Sequence, residues 1–217
     1  MKFKSLAAAL LGGALSLLAV GTASATPINT AGLSITVGDK TFSNFTCNII
    51  GGGFFGPATC GTIDVTGIAT DPLGLRFQSG FAATSNSNVD VLLGYKVTVN
   101  NPSQKINAID LLFNGSFFGL AVTSVTETAF SGATPVGQVS VSNPPLKLFD
   151  TMPLTGAFST LNIMKDILLL AGNGGLGTIS FIDQRFHQVP EPGTLALVGL
   201  VLVGLGVSRK TGAKTRA

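Results

Sequence analysis

The side chains that most often perform chemistry are scarce in this sequence. His187 is the only histidine, so a Ser-His-Asp or Cys-His catalytic arrangement would have to use it. It lies three residues before Pro190, and we interpret it as an exposed histidine at the end of a strand. Zinc sites usually need several histidine or cysteine ligands, and two cysteines without a nearby histidine do not complete one. The sequence therefore predicts no catalytic residue, no metal site and no cofactor.

Paired carboxylates are the remaining catalytic option, because glycosidases need only two acidic side chains at a suitable separation. The stretch 26–188 contains nine acids and so offers many pairs, whose separations the sequence does not give. Asn86, Asn88 and Asp90 alternate in a predicted loop in a way that offers oxygen ligands to Ca²⁺, but they lack the glycine and terminal glutamate of an EF-hand. We predict that the protein is not an enzyme, with a carboxylate-dependent glycan hydrolase as an alternative.

A glycine-rich segment, Gly172–Gly177, fits the pattern G-x-G-x-x-G of dinucleotide-binding proteins. That motif needs a helix after it, so that the pyrophosphate lies at the helix N-terminus. The residues that follow, Thr178–Ile182, have the alternation of a strand instead. We therefore interpret the segment as a glycine-rich hairpin turn.

Two pairs of adjacent phenylalanines are flanked by glycines, Phe54 with Phe55 and Phe117 with Phe118. Neighbouring residues of a strand face opposite sides, so one ring of each pair is a candidate for exposure. Exposed aromatic rings on a β-sandwich stack on sugar rings, but the chain has no tryptophan and only one tyrosine. A carbohydrate-binding module is therefore an alternative function.

The composition excludes two broad classes of protein. Only 11% of the 217 residues are charged and 45% are hydrophobic, which is unlike an intrinsically disordered chain. The 13 basic residues form no stripe, so nucleic acid is not an expected partner. Six of them lie at the two extreme ends, and the stretch 26–188 has seven basic and nine acidic residues. The formal charge of +3 thus belongs to the ends, and the body is mildly acidic.

The N-terminus has the three parts of a secretory signal peptide. Two lysines within the first four residues precede an apolar run, Leu6–Val20, and a small-residue cleavage signature that includes Ala23 and Ala25. The alternative is a short N-terminal membrane helix. We predict cleavage after Ala25, so that the mature chain begins at Thr26 and residues 1–25 are removed on export.

The C-terminus has three parts as well. Val189–Gly193 contains two prolines, which fix φ and prevent a helix. An apolar segment follows over 194–207, about 14 residues or roughly 21 Å as a helix, against a hydrocarbon core of roughly 30 Å. Arg209 and Lys210 begin a basic tail that would stay on the cytoplasmic side. We predict a short membrane helix that holds the exported body at the inner membrane.

These parts, in this order, resemble the PEP-CTERM sorting signal of Gram-negative bacteria. The motif residues are Val189, Pro190, Glu191 and Pro192. The resemblance implies that exosortase, a membrane-embedded cysteine protease or transpeptidase, is a partner and removes the tail in or near the motif. It also implies transient anchoring in the inner membrane through 194–207, then delivery to the cell surface or the extracellular matrix of an organism that makes exopolysaccharide. The alternative is a plain C-terminal anchor with a proline-rich neck.

Between the two ends, the pattern is strand-like almost throughout. Alternating stretches such as Val89–Val99 and Ile106–Phe113 are separated by turn residues, here Asn100–Ser103. Leu161–Leu170 is predicted as a further strand, although its propensity alone is compatible with a helix. We predict an all-β domain over 26–188, an antiparallel β-sandwich of about 8–10 strands or else a barrel. An N-terminal signal helix (1–25) and the C-terminal sorting signal (189–217) with its membrane helix flank this domain.

Cys47 and Cys60 are the only cysteines, and an exported chain meets an oxidising compartment. We predict a structural disulfide between them, closing a loop of about 14 residues and contributing roughly 3 kcal/mol on the chain-entropy model. The function predicted from the whole sequence is that of an exported surface or matrix protein. Its role would be structural or adhesive and linked to exopolysaccharide.

Overall fold

Residues that alternate between apolar and polar form strands along most of the chain. The computed structural model describes residues 25–50, 59–191, 193 and 197–202. Thirteen strands and one turn of 3-10 helix at Cys60–Thr62 are found there. The strands are β1 Thr26–Pro27, β2 Ile35–Val37, β3 Lys40–Ile50, β4 Asp64–Ile68, β5 Gly74–Thr84, β6 Ser87–Val99, β7 Gln104–Phe113, β8 Ser116–Phe118, β9 Ala121–Ser131, β10 Thr134–Asn143, β11 Phe149–Phe158, β12 Thr160–Ala171 and β13 Leu176–Pro190.

The strands form two antiparallel sheets that pack face to face as a sandwich. The seven-stranded sheet has the order β1-β4-β5-β13-β7-β11, with β8 paired to the start of β13. The six-stranded sheet has the order β10-β9-β12-β6-β3-β2. The two longest strands, β13 and β6, lie in the interior of their sheets and pair on both sides. The predicted all-β sandwich is therefore confirmed, and the barrel is not the fold.

The core lies between the sheets and follows the period-2 pattern. In β6 every second residue from Val89 to Val99 is buried, while the intervening residues face outward. An aromatic cluster occupies the middle of the core, with the Tyr95 ring 5.7 Å from those of Phe45 and Phe77 and 6.2 Å from that of Phe42. Burying this apolar surface is the main source of stability for the domain.

Two details differ from the sequence-based predictions, the number of strands and the glycine-rich turn. The described chain has thirteen strands and not 8–10, because β1, β2 and β8 are only two or three residues long and give almost no periodic signal. Leu161–Leu170 is a strand, as predicted, and the helix that its propensity alone would allow does not form, because its alternate residues fill the core. The Gly172–Gly177 turn is not a hairpin, since it connects β12 of one sheet to β13 of the other.

The predicted terminal helices fall largely outside the described residues. Residues 1–24 of the predicted signal helix, with Ala23, lie outside the described residues, as do Arg209 and Lys210 of the basic tail. Residues 197–202 are helical, and their side chains are exposed. Among the residues that the structure describes, no helix is both long enough and apolar enough to cross a membrane. The membrane helix over 194–207 and cleavage before Thr26, the first residue of β1, stay predictions.

The disulfide between Cys47 and Cys60 is present, with 6.0 Å between the two Cα atoms. Cys47 lies in β3 of the six-stranded sheet, and Cys60 begins the 3-10 turn that leads into β4 of the seven-stranded sheet. The bond therefore connects the two layers of the sandwich near one edge. Both cysteines pack against the hydrophobic core, so the disulfide is partly buried.

We expect the double variant Cys47→Ala/Cys60→Ala to lose roughly 3 kcal/mol of unfolding free energy, because the unfolded chain regains the entropy of an open loop. Urea unfolding followed by circular dichroism measures this loss. Reductant should lower the wild-type midpoint and leave that of the variant unchanged. Equal midpoints for the oxidised wild type and the variant would contradict a stabilising role.

Candidate functional site

The predicted sorting motif begins inside the last strand of the sandwich. Val189 and Pro190 are the final residues of β13 and pair with Lys105 and Gln104 at the start of β7. The strand thus continues two residues beyond position 188, which the sequence suggested as the end of the domain. Proline is tolerated here because it lies at the strand end, where one missing N–H costs little. The first half of the motif is extended and belongs to a sheet.

Two further contacts hold Glu191 against the sandwich. Its backbone N–H donates to the carbonyl oxygen of Ser103 at 2.9 Å. Its carboxylate lies 3.1 Å from the ammonium of Lys105, with both side chains about one-third exposed. A surface ion pair of this kind contributes little energy, about 0–1 kcal/mol. The motif is therefore positioned by the sheet and only weakly tied beyond Pro190.

A polar cluster precedes the motif by one residue. The Gln188 amide donates to Asp39 at 2.9 Å and accepts a hydrogen bond from the ammonium of Lys40, which is almost completely buried. The Lys40 ammonium also lies 3.1 Å from Asp39. This cluster connects the end of β13 to the β2–β3 turn of the other sheet. Pro192 and residues 194–196 lie outside the described residues.

His187 is not simply an exposed residue at a strand end. It lies within β13, and its Nε2 is 2.7 Å from the Asp110 carboxylate of β7. In the described part of the chain, the ring has no hydrogen bond to a serine, threonine or cysteine. The pair therefore has the base and orienting acid of a triad but no nucleophile.

Asp90 and Asp166 form a carboxylate pair on the outer face of the six-stranded sheet. They lie on the adjacent strands β6 and β12 as diagonal neighbours, a Cα separation of about 7–8 Å. Partial burial and the negative charge of Asp90 raise the pKa of Asp166. Asn88 and Asp90 belong to β6 and not to a loop, and only Asn86, with φ of 60°, lies in the turn before it. Among the described residues, no group of three or more His, Cys, Asp or Glu could hold a metal ion.

Exposed apolar side chains gather at the far end of β13 from the motif. Phe118 is 73% exposed, Leu120 71% and Phe117 44%, so both rings of this phenylalanine pair reach solvent. Leu170 and Leu176 lie beside them and are also exposed. We call these five residues the apolar end. Phe54 and Phe55 lie outside the described residues.

Glycine explains how the apolar end is built. The Gly172–Gly177 turn packs against Leu120, whose carbonyl accepts the N–H of Gly172 at 2.6 Å. A Cβ at Gly175 would lie 2.2 Å from that same carbonyl oxygen. Only glycine permits this approach. The glycine repeat therefore serves backbone packing beneath Leu120 and not nucleotide binding.

A buried polar cluster between the sheets was missed in the sequence. Lys165 of β12 hydrogen bonds to Glu127 of β9 and, at 3.2 Å, to the side-chain carbonyl of Gln184 in β13. All three side chains are at most 1% exposed. Burial raises the pKa of Glu127 and lowers that of Lys165, and in each case the partner's charge opposes the shift. Lys and Glu side chains are rarely fully buried, and they are buried here as hydrogen-bonded partners of each other.

Comparison with known proteins identifies only the sorting signal. The PEP-CTERM protein-sorting motif matches residues 188–210. No curated protein matches the sequence. Among solved structures, the carbohydrate-binding module TmCBM61 in complex with β-1,4-galactotriose is similar at 10% identity and a TM-score of 0.31, covering 67% of this chain and 88% of that one.

Two further solved structures are similar at the same distant level. The enzymatically active domain of tailspike protein 4 from bacteriophage CBA120 has 11% identity and a TM-score of 0.30, covering 66% of this chain and 19% of that one. The family GH12 endoglucanase 3 of Trichoderma harzianum has 9% identity and a TM-score of 0.25, covering 66% and 97%. These scores are too low to carry an argument about function.

Proposed function

We propose, from the premise that this chain carries a PEP-CTERM sorting motif, that exosortase removes its tail and that the sandwich domain then acts at the cell surface or in the extracellular matrix. The role is structural or adhesive and linked to exopolysaccharide. In this proposal the chain is a substrate of exosortase and not itself an enzyme.

One observation supports this role most directly: β13 has the sorting motif at one end and the apolar end at the other. The strand has 15 residues, so the two features are about 45 Å apart. While the tail is held in the membrane, the exposed phenylalanines and leucines therefore lie far from the attachment point along the strand axis. A cluster of exposed apolar side chains of this kind is typical of a surface that binds another molecule.

The experiment that tests the proposal is an intact mass of the protein from membranes and, separately, from the extracellular matrix of its native host. We expect a matrix form that lacks residues 1–25 and everything beyond the Pro190–Pro192 region. Any additional mass on that form would indicate covalent attachment. A single membrane form that ends at Ala217 would reduce the tail to a simple anchor and contradict the proposal.

A second function, binding of carbohydrate, is favoured by the exposure of both Phe117 and Phe118. Aromatic rings that reach solvent at the end of a sheet provide flat apolar faces for sugar rings. We expect Phe118→Ser/Leu120→Ser to weaken retention on the host's exopolysaccharide about tenfold, as is usual for a central contact residue. The measurement is affinity electrophoresis or pull-down on that polysaccharide.

Phe149→Ser is the matched control for that variant, because Phe149 is a half-exposed phenylalanine of β11, remote from the apolar end. It should leave retention unchanged. If the wild type is not retained on the polysaccharide, the protein is not a carbohydrate-binding module, and a scaffold role stays as the proposed function. Equal losses in both variants would contradict a site at the apolar end.

The third candidate function is that of a glycan hydrolase. The observation that favours it is the Asp90–Asp166 carboxylate pair. A raised carboxyl pKa next to a second carboxylate is what a general acid requires. We expect no release of sugar from the host polysaccharide by the wild type. Release that disappears in Asp90→Asn and in Asp166→Asn would overturn the prediction that the protein is not an enzyme.

A further inference from the structure

The buried cluster of Lys165, Glu127 and Gln184 contains the parts of an amide-forming reaction. An amine, a carboxamide and a carboxylic acid meet in a core from which water is excluded. The amine and the acid come from the six-stranded sheet, and the carboxamide comes from the seven-stranded sheet. Strand pairing fixes the first two, because β9 and β12 pair in a register that places Lys165 opposite Glu127, and the packing of the two sheets brings Gln184 to them.

We propose that the side chains of Lys165 and Gln184 become joined by an amide bond, in a reaction assisted by Glu127 that releases ammonia. The Lys165 nitrogen lies 3.2 Å from Oε1 of the carboxamide, and the carbon to be attacked is bonded to that oxygen. An amine held beside the carbonyl group that it attacks gains a large rate advantage over free reactants. The folded core supplies this proximity.

The surroundings favour the neutral forms that the reaction needs. Burial lowers the pKa of Lys165 and raises that of Glu127, so one proton transfer along their hydrogen bond gives an amine and a carboxylic acid. Phe77 lies against the lysine, with Nζ 5.6 Å from the ring centroid. The nearby Asp183 carboxylate is paired by two hydrogen bonds, at 2.6 and 2.8 Å, with Arg76.

The orphaned atoms of the cluster also fit the reaction. Within the described residues, Nε2 of Gln184 and Oε1 of Glu127 are buried and have no hydrogen-bond partner. Leaving such groups unsatisfied normally costs about 1–3 kcal/mol each. Nε2 is the atom that the reaction would remove, and its loss would relieve one of these costs.

The step balances without any further reactant. The lone pair of the Lys165 amine forms a bond to Cδ of Gln184, and the bond from Cδ to Nε2 breaks. Glu127, which starts as the carboxylic acid, gives its proton to the departing nitrogen and takes one from the attacking nitrogen, so it ends as it began. One amide is consumed, one is formed, and ammonia leaves. Lysine amines act as nucleophiles in this way when a neighbouring group removes their proton.

An intact mass of the exported protein, after reduction of the disulfide, tests the proposal directly. We expect a mass lower than the sequence mass of the same form by one ammonia, about 17 Da, and a branched proteolytic peptide that contains residues 165 and 184. A full sequence mass would overturn the proposal. So would a loss of one water with a peptide that connects residues 165 and 127.

Two variants separate the reaction from mere folding. Glu127→Gln keeps the size of the side chain and removes the acid, so folded protein of full sequence mass is expected. Lys40→Met is the matched control, because Lys40 also contacts a glutamine, Gln188, but beside the partly exposed Asp39. Lys40→Met should retain the loss of one ammonia. Loss of ammonia in Glu127→Gln, or its absence in Lys40→Met, would contradict the role given to Glu127 or to Lys165.

Discussion

Replacement of Pro190-Glu191-Pro192 by three alanines should leave the C-terminal tail on the protein. In the proposed pathway, exosortase recognises this segment after the tail has stopped in the membrane. The tripeptide begins at the last residue of β13, so its replacement leaves exosortase a folded domain without the recognised sequence. We expect the mature protein to accumulate in membranes as one species that ends at Ala217, as measured by intact mass.

The structure supplies a matched control for that experiment. Lys105→Ala removes the ion pair to Glu191 but leaves the motif itself intact. Because an exposed ion pair contributes at most about 1 kcal/mol, we expect this variant to fold and to lose its tail as the wild type does. Normal tail removal in the alanine variant would contradict recognition of the motif. A retained tail in Lys105→Ala would mean that the docked conformation of the motif is what is recognised.

Gly74→Ala should destabilise the domain by about 3 kcal/mol or more. Gly74 is the buried first residue of β5 and pairs with Arg185 of β13. A Cβ there would lie 1.8 Å from the carbonyl oxygen of Gln184 and 2.9 Å from the Cα of Arg185. Both are backbone atoms, so two central strands would have to separate, and overpacking of this kind costs about 1–3 kcal/mol or more.

Gly80→Ala is the control within the same strand. Gly80 is exposed, and a Cβ there meets no heavy atom within 4 Å. We expect a change within about 0.5 kcal/mol, as is usual for surface positions. Urea unfolding followed by circular dichroism distinguishes the two variants. If the two variants have similar urea midpoints, β5 and β13 can move apart at a lower energetic cost than their close approach implies.

The fold class could be predicted from the sequence because its alternation is regular. Val89–Val99 alternates except at Leu92, and the segment forms β6 with one face in the core. The sheet in which each strand lies could not be predicted. Turns of similar composition join strands of one sheet at Gly38 but cross between sheets at Gly172–Gly177.

The sequence contains a signal for the buried cluster. Lys165 lies between Ile163 and Ile167 in the alternation of its strand, in the position of an inward-facing residue. Glu127 and Gln184 occupy the same inward phase of β9 and β13. A charged residue at an inward-facing position of a strand thus indicates that it has a polar partner in the core. Which partner it meets depends on how the sheets stack, and a single sequence does not contain that information.

Because β13 pairs with a strand on each side, its position also determines how the domain resists a pulling force on its C-terminus. Any pull on the tail enters the sandwich at Pro190, along the axis of a strand that pairs with β5 on one side and β7 on the other. Hydrogen bonds between antiparallel strands run perpendicular to the strands. A tensile force along β13 therefore loads these bonds together in shear and does not peel them away one at a time. In the proposed pathway, the membrane tether would therefore act on a strand that is paired on both sides, and extraction of this strand requires many hydrogen bonds to break at once.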